Sequence, residues 1–314
     1  MKILITGGAG FIGSNLTKYY LENTDHAITV VDRDHKNITR LQELCGTLRP
    51  FEVIHEDYDN VRNSIVWDKD AIVHLAAVPR VAFSVEHPAS TTYENVYKTV
   101  RLLEQIKNTG NKNIKFVFAS SSSIYGDASM PTSEYHELNP QSPYALQKKC
   151  GGEFCKMFSD LYGTNTVCLR FFNVFGPHQY VDSAYSTVMA KWCDQLKKGE
   201  PLLIEGDGTQ SRDFSYVDNV IHGINLAVTS DKRFRGESYN IANQDRTSLN
   251  EILDYLSEKF DITLDRCEPR AGDVKHTQAD ISKAKEELNY SPVCNVWEGL
   301  EKTIEWWKLK EKIC

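Results

Sequence analysis

Over the first 170 residues, short apolar runs alternate with longer stretches whose apolar positions recur at helical spacing. The runs are KILIT (2–6), AITVVD (27–32), FEVIH (51–55), AIVHLA (71–76), IKFVFAS (114–120) and NTVCLRFF (165–172). They are rich in Val, Ile and Phe, lack strict alternation and end at turn residues, which predicts strands buried on both faces. Between them lie amphipathic segments such as FIGSNLTKYYLEN and TTYENVYKTVRLLEQIKNTG. Strand–helix alternation of this kind predicts a parallel sheet covered by helices on both faces. Beyond residue 175 the pattern changes to helical STVMAKWCDQLKKG, short PLLIEGDG, helical VDNVIHGINLAVTS and SLNEILDYLSEKF. A smaller α/β region is expected there. No Ser/Gly linker separates the parts, so the expected division into 1–175 and 176–314 allows later segments to cross back.

Composition narrows the class. The chain has 314 residues, 41% hydrophobic and 25% charged, with a net charge of −7. There is no long basic run, so nucleic acid is not an expected partner. The opening MKILITGGAG passes directly into a strand and a glycine turn, and no run of 18 apolar residues occurs. A cytoplasmic protein without membrane association is expected. The eight cysteines form no Cys-x-x-Cys and stand beside no pair of histidines at ligand spacing. No metal site is expected, and the thiols read as reduced.

ITGGAGFIG follows the first run and opens the first helical segment. Gly7, Gly10 and Gly13 have Gly-x-x-Gly-x-x-Gly spacing, with Phe11 and Ile12 between the last two. Early glycines permit a tight turn, Gly10 lets backbone approach a pyrophosphate, and Gly13 lets helix pack on strand. Asp32 ends the second run, where a carboxylate grips adenosine ribose hydroxyls. This predicts a Rossmann-type doubly wound sheet that binds a dinucleotide. Asp32 favours NAD over NADP, while the adjacent Arg33 could pair with a 2′-phosphate.

SPYALQKK (142–149) places Tyr144 and Lys148 four residues apart, on one face of a helix that Ser142 caps and Pro143 begins. A lysine one turn from a tyrosine can stabilise phenolate and so prepare a base.

Together with HLAA (74–77), SSSSIYG (120–126), RFFNVFGP (170–177), SRDFSYVDN (211–219) and RAGDVKHTQAD (270–280), these motifs resemble the extended short-chain dehydrogenase/reductase family acting on nucleotide sugars. The likeness covers nearly the whole chain and is closest to the UDP-hexose 4-epimerases, in particular the UDP-N-acetylglucosamine 4-epimerase branch. It implies Tyr144 as base and acid, Lys148 also on the nicotinamide ribose, and Ser121 as the catalytic hydroxyl with Ser122 and Ser123 beside it. It further implies Asp57 and Tyr58 near adenine, Leu75, Ala76 and Ala77 along the cofactor, and Asn95 at its nicotinamide end. His74 would support the strand end rather than move protons. On the sugar-nucleotide side the resemblance implies Ser84, Asn173, Arg212, Arg270 and Asp273, with Thr277 as a gate small enough to admit an N-acetyl group, although uronate epimerases can also carry a small residue there. Glu205 departs from the aromatic or neutral residue expected near the uracil.

Related dehydratases carry carboxylates where this chain has only serines, so oxidation and re-reduction at one carbon is the expected cycle. That is 4-epimerisation of a UDP-hexose through a 4-keto sugar, with tightly bound NAD recycled in place; the resemblance points to UDP-N-acetylglucosamine/UDP-N-acetylgalactosamine first, with UDP-glucose/UDP-galactose as further substrates. UDP-glucuronate epimerisation and dehydration or decarboxylation of another nucleotide sugar are the enzymatic alternatives, with Arg80 or Lys275 as candidate partners of a sugar carboxylate. A non-catalytic NAD(P) sensor is the non-enzymatic alternative. A homodimer is implied by family likeness alone.

Overall fold

The computed structural model describes residues 1–181, 187–268 and 274–309. Six parallel strands form where the apolar runs fall: β1 (Lys2–Thr6), β2 (Ala27–Asp32), β3 (Glu52–His55), β4 (Ala71–His74), β5 (Lys115–Ser121) and β6 (Asn165–Phe171). A seventh, Glu237–Ile241, pairs parallel with β6, so the chain returns to the sheet well after residue 175. From that edge strand the order runs β6, β5, β4, β1, β2, β3.

Side-chain alternation explains why the runs are apolar throughout. Ile3, Ile5, Val30, Val73, Val117, Val167 and Leu169 enter one core with Leu16, Tyr20, Val220 and Ile224. Their neighbours Leu4, Val31, Ile72, Phe116, Phe118 and Cys168 enter a second core with Leu102, Leu103, Ile106, Cys155 and Phe158. A period of two thus sends alternate residues to opposite, equally buried faces. Helices Phe11–Asn23 (α1) and Val217–Thr229 cover the first face; Lys98–Asn108 and Pro143–Tyr162 cover the second.

The strand order reverses between β1 and β4, which opens a crevice beyond their carboxyl ends. Val174, His178, Gln179, Tyr180 and Thr187 line it from the later part of the chain, which among the described residues adds three two-stranded ladders. Val174–Phe175 pairs with Ser215–Tyr216, Ser211–Arg212 with Thr247–Ser248, and Leu202–Glu205 with Leu264–Cys267. Among the described residues, no helix is long and apolar enough to cross a membrane, and no group of three or more His, Cys, Asp or Glu could hold a metal.

Candidate functional site

A cavity of about 490 Å³ occupies the crevice. Its floor is the turn from β1 into α1. Gly7 has φ +67°, and a Cβ there would lie 2.7 Å from the Ala76 backbone. A Cβ on Gly13 would lie 2.2 Å from the Gly7 carbonyl oxygen. The turn is therefore pressed against Leu75, Ala76 and Ala77, which line the cavity with Gly7, Gly10, Phe11, Ile12 and Gly13. Gly10 caps α1 without a side-chain hydrogen bond, and a Cβ on it would meet only the Gly7 oxygen, at 3.2 Å. This backbone cradle at a helix N-terminus suits an anionic group. Asp32 Oδ2 accepts the Ala9 N–H at 3.1 Å and Oδ1 the Asp34 N–H at 3.0 Å. Burial nevertheless raises the Asp32 pKa, against the pull of those amides.

At one end lie Asp57 and Tyr58. Among the described residues, Asp57 Oδ1 is buried without a hydrogen-bond partner, so the site supplies an acceptor awaiting a donor. Asn95 does not line the cavity. Its Oδ1 accepts the Val78 N–H at 2.7 Å, and its Nδ2 donates to Val78 O at 3.1 Å and Gln147 Oε1 at 2.8 Å. It staples the segment after β4 to the Tyr144 helix. His74 stands behind the wall. Thr99 donates its hydroxyl proton to Asn95 O, so His74 Nε2–H donates to Thr99 Oγ1 and Nδ1 accepts from Thr6 Oγ1 at 2.6 Å. Burial pushes the imidazole down to about 3, which leaves it neutral.

Tyr144 and Lys148 line the opposite end. Ser142 caps their helix through the Ala145 N–H, and Pro143 opens it. Gly151 presses that helix onto β5: a Cβ there would lie 2.3 Å from Phe118. The close approach lets Lys148 Nζ donate to Ala119 O at 2.7 Å, with Nζ 6.0 Å from the Tyr144 ring centroid. Burial pushes Lys148 down to about 8. It pushes the Tyr144 phenol up to about 12, opposed by the Ser121 hydroxyl and the Arg80 guanidinium. Ser121 Oγ accepts from Ser123 N at 3.2 Å and Ser123 Oγ at 3.0 Å, which leaves its own proton to donate outward. Ser122 begins the single 3₁₀ turn Ser122–Tyr125, and Ser122 and Ser123 are half-buried. Tyr125 fixes that turn by donating to Asn240 Oδ1 while accepting from Arg170, each at 2.7 Å.

Ser84 is fully buried behind Tyr144, donating to Val81 O and accepting the Tyr144 N–H. Its position is that of a helix support rather than a cavity wall. Asn173 Nδ2 donates to Thr277 Oγ1 and to Asp213 O, both at 3.1 Å. Arg212 Nη1 donates to Lys275 O at 2.8 Å. Arg270 and Asp273 lie outside the described residues. Sequence reasoning missed Asp213, whose carboxylate accepts the amides of Asn243, Gln244 and Ala279 and so gathers three segments beneath Thr277. Burial pushes it up to about 7. Also missed were His178, Gln179 and Tyr180, which line the cavity from the turn after Pro177. Gly176-Pro177 was the available signal, since a turn there redirects the chain towards α1, where Asn15 Nδ2 donates to Pro177 O at 3.0 Å.

Comparison with known proteins gives a consistent result. The family model described as the NAD dependent epimerase/dehydratase family matches residues 3–242. The chain is 36% identical to the uncharacterized UDP-glucose epimerase YtcB of Bacillus subtilis, over 97% of each protein. Among solved structures, the UDP-glucuronic acid 4-epimerase from Bacillus cereus, in complex with UDP-glucuronic acid and NAD, matches with TM-score 0.91 and 33% identity. That match covers 99% of this chain and 100% of the other. The UDP-N-acetylglucosamine 4-epimerase from Methanobrevibacter ruminantium M1, in complex with UDP-N-acetylmuramic acid, matches with TM-score 0.89 and 32% identity over 98% of each chain. With the family model spanning most of its length, this chain belongs to the NAD dependent epimerase/dehydratase family.

Proposed function

We propose that this protein is an NAD-dependent UDP-hexose 4-epimerase acting on the UDP-N-acetylglucosamine/UDP-N-acetylgalactosamine pair. The observation that carries the chemistry is Tyr144 and Lys148 on one buried helix face beside a carboxylate-free serine turn, Ser121–Ser123. The residues fit the cofactor: the Gly10 cradle suits a pyrophosphate, Asp32 a ribose, and the unpartnered Asp57 oxygen an amino group. Bound NAD supplies the hydride acceptor, and then the donor, at one sugar carbon.

The chain's own residues handle the proton. Tyr144, as phenolate, takes the proton of the substrate's C4 hydroxyl to become the phenol, and later returns it to the 4-keto oxygen. A phenol held near 12 needs help to do so near neutral pH. Lys148, still mostly cationic below about 8, and Arg80 supply positive charge. Ser121, whose hydroxyl already meets the Tyr144 phenol, turns its proton to the same sugar oxygen when substrate is bound. Elimination would require a carboxylic acid and base at this turn, and none stands there.

In this proposal Asn173, Arg212, Thr277, Arg270 and Asp273 are the residues assigned to the sugar nucleotide, and residues 1–175, joined by the turn after Pro177 and the strand Glu237–Ile241, hold the dinucleotide. Thr277 supports the N-acetylated pair over a pocket restricted to glucose and galactose, because its small side chain leaves room that an aromatic would fill; it does not separate that pair from a uronate. A second reading, UDP-glucuronate, is favoured by Arg80 in the cavity wall beside Tyr144 and by the Bacillus cereus relative. Separate incubations with UDP-N-acetylglucosamine, UDP-glucose and UDP-glucuronate, resolved by NMR, test both. Fastest inversion at C4 of the N-acetylated sugar supports the first; fastest inversion of the uronate replaces it with the second.

Homodimerisation belongs to the same proposal. Leu146, Met157 and Leu161 are exposed along one face of the Tyr144 helix, and Tyr93 and Tyr97 are also exposed and stack on each other. Leu161→Glu is expected to convert a dimer to a monomer in light scattering; a monomeric parent protein would remove the idea.

A further inference from the structure

Five charged residues from three chain segments meet at the adenosine end of the cavity. Arg33, directly after Asp32, places Nη1 3.0 Å from Asp57 Oδ2 and 2.8 Å from Glu94 Oε2. Lys98, almost wholly buried, pairs with the same Asp57 oxygen, with Glu94 Oε2 at 3.0 Å and with Asp59 Oδ1 at 3.8 Å. Two cations are thus held among three carboxylates, and Asp32 and Asp34 flank Arg33 in the chain. Glu94 reaches this position from a π-helical turn, Tyr93–Tyr97, set between helices Pro88–Thr92 and Lys98–Asn108. Such turns are rare and cluster at functional sites. This one turns Asn95 inward to Val78 and Gln147 while its neighbour Glu94 stays at the cavity rim.

An arginine beside the carboxylate that ends β2 is the usual means of accepting a ribose 2′-phosphate. A guanidinium does so through paired, charge-assisted hydrogen bonds. Here the guanidinium is already engaged by two carboxylates. To bind a 2′-phosphate it would give up both contacts and bring a dianion into a net negative rim.

We propose that Glu94 is a cofactor-selectivity residue: by holding Arg33 against Asp57, it withholds the guanidinium beside Asp32 from a 2′-phosphate. The proposal rests on the reading of this cavity as a dinucleotide site. It accounts for a chain that carries Asp-Arg at the end of β2 and yet belongs with NAD rather than NADP. Lys98 keeps its contacts with Asp57 and Asp59 when Glu94 is neutralised, so the rim should stay folded.

The test is equilibrium binding of NAD and of NADP, by titration calorimetry, to the whole protein and to three variants: Asp32→Ser, Asp32→Ser/Glu94→Gln, and the latter with Arg33→Ala. Adding Glu94→Gln to Asp32→Ser is expected to tighten NADP about tenfold, with NAD changed by less than about threefold. Adding Arg33→Ala should cancel the NADP gain. NADP binding unmoved by Glu94→Gln, or a gain that survives loss of Arg33, would overturn the proposal while leaving the dinucleotide site intact. A parent protein that binds neither nucleotide would overturn the site and the proposal together.

Discussion

The backbone N–H of Tyr144 donates to the hydroxyl of Ser84 at 3.0 Å, across 60 residues of chain. Ser84 in turn donates to Val81 O at 2.6 Å. The first turn of the Tyr144 helix thus hangs from the short helix Val81–Glu86, whose N-cap is Arg80. Ser84→Ala leaves a buried amide unsatisfied and frees the turn that aims the phenol. Turnover is expected to fall about tenfold with KM changed less than about twofold. Steady-state kinetics decide: a raised KM with kcat retained would mean that Ser84 touches the sugar instead.

Lys148 is expected to give the proposed activity an alkaline limit. Burial lowers its pKa to about 8, so the cation that favours phenolate is lost as pH rises through that value. The epimerisation rate, followed from neutral to alkaline pH, should fall with a midpoint near pH 8. Lys148→Met should be slow throughout and lack that limb. The same limb in the variant would assign the titration to another group.

His74 gives the fold an acid limit. Its folded value of about 3 lies below the unfolded value near 6.5, so between them the unfolded chain binds more protons. Stability is therefore full above about 6.5 and is lost as pH falls towards 3, by a few kcal/mol. Urea denaturation over this range should show a smaller pH slope for His74→Gln than for the parent. An unchanged slope would place the sensitivity in the carboxylates.

Thr277 Oγ1 accepts from Asn173 Nδ2 at 3.1 Å, and in the proposed function its side chain bounds the sugar. Thr277→Tyr should depress kcat/KM for UDP-N-acetylglucosamine at least about tenfold more than for UDP-glucose. Equal losses would mean that the position reports packing rather than selection.

Much of the fold was legible because a parallel sheet buried on both faces needs continuous apolar strands, and β1 to β6 carry them. The strand Glu237–Ile241 was not, since ESYNI sits at the sheet edge and mixes polar residues into its run. Its Asn240 is fully buried but satisfied by Tyr125, Thr132 and Asp280, partners that no local pattern reveals. The π turn at Tyr93–Tyr97 escaped for a related reason: it alters hydrogen-bond spacing without altering the apolar stripe. In the site, the four-residue spacing of Tyr144 and Lys148 could be read directly because one helix turn carries it. The placements of Ser84 and Asn95 could not, because their partners lie far away in sequence. Arg33 shows the same limit. Its charge could be read from the chain, but its engagement by Glu94, 61 residues on, could not.

The central claim is that the Tyr144 phenol carries the proton while one sugar carbon is inverted. Its most direct test is NMR of UDP-N-acetylglucosamine incubated with the parent protein and with Tyr144→Phe, each checked for bound NAD. The C4 epimer is expected with the parent, and a loss of roughly a hundredfold or more in rate with NAD retained in the variant. Undiminished epimer formation by Tyr144→Phe would contradict it.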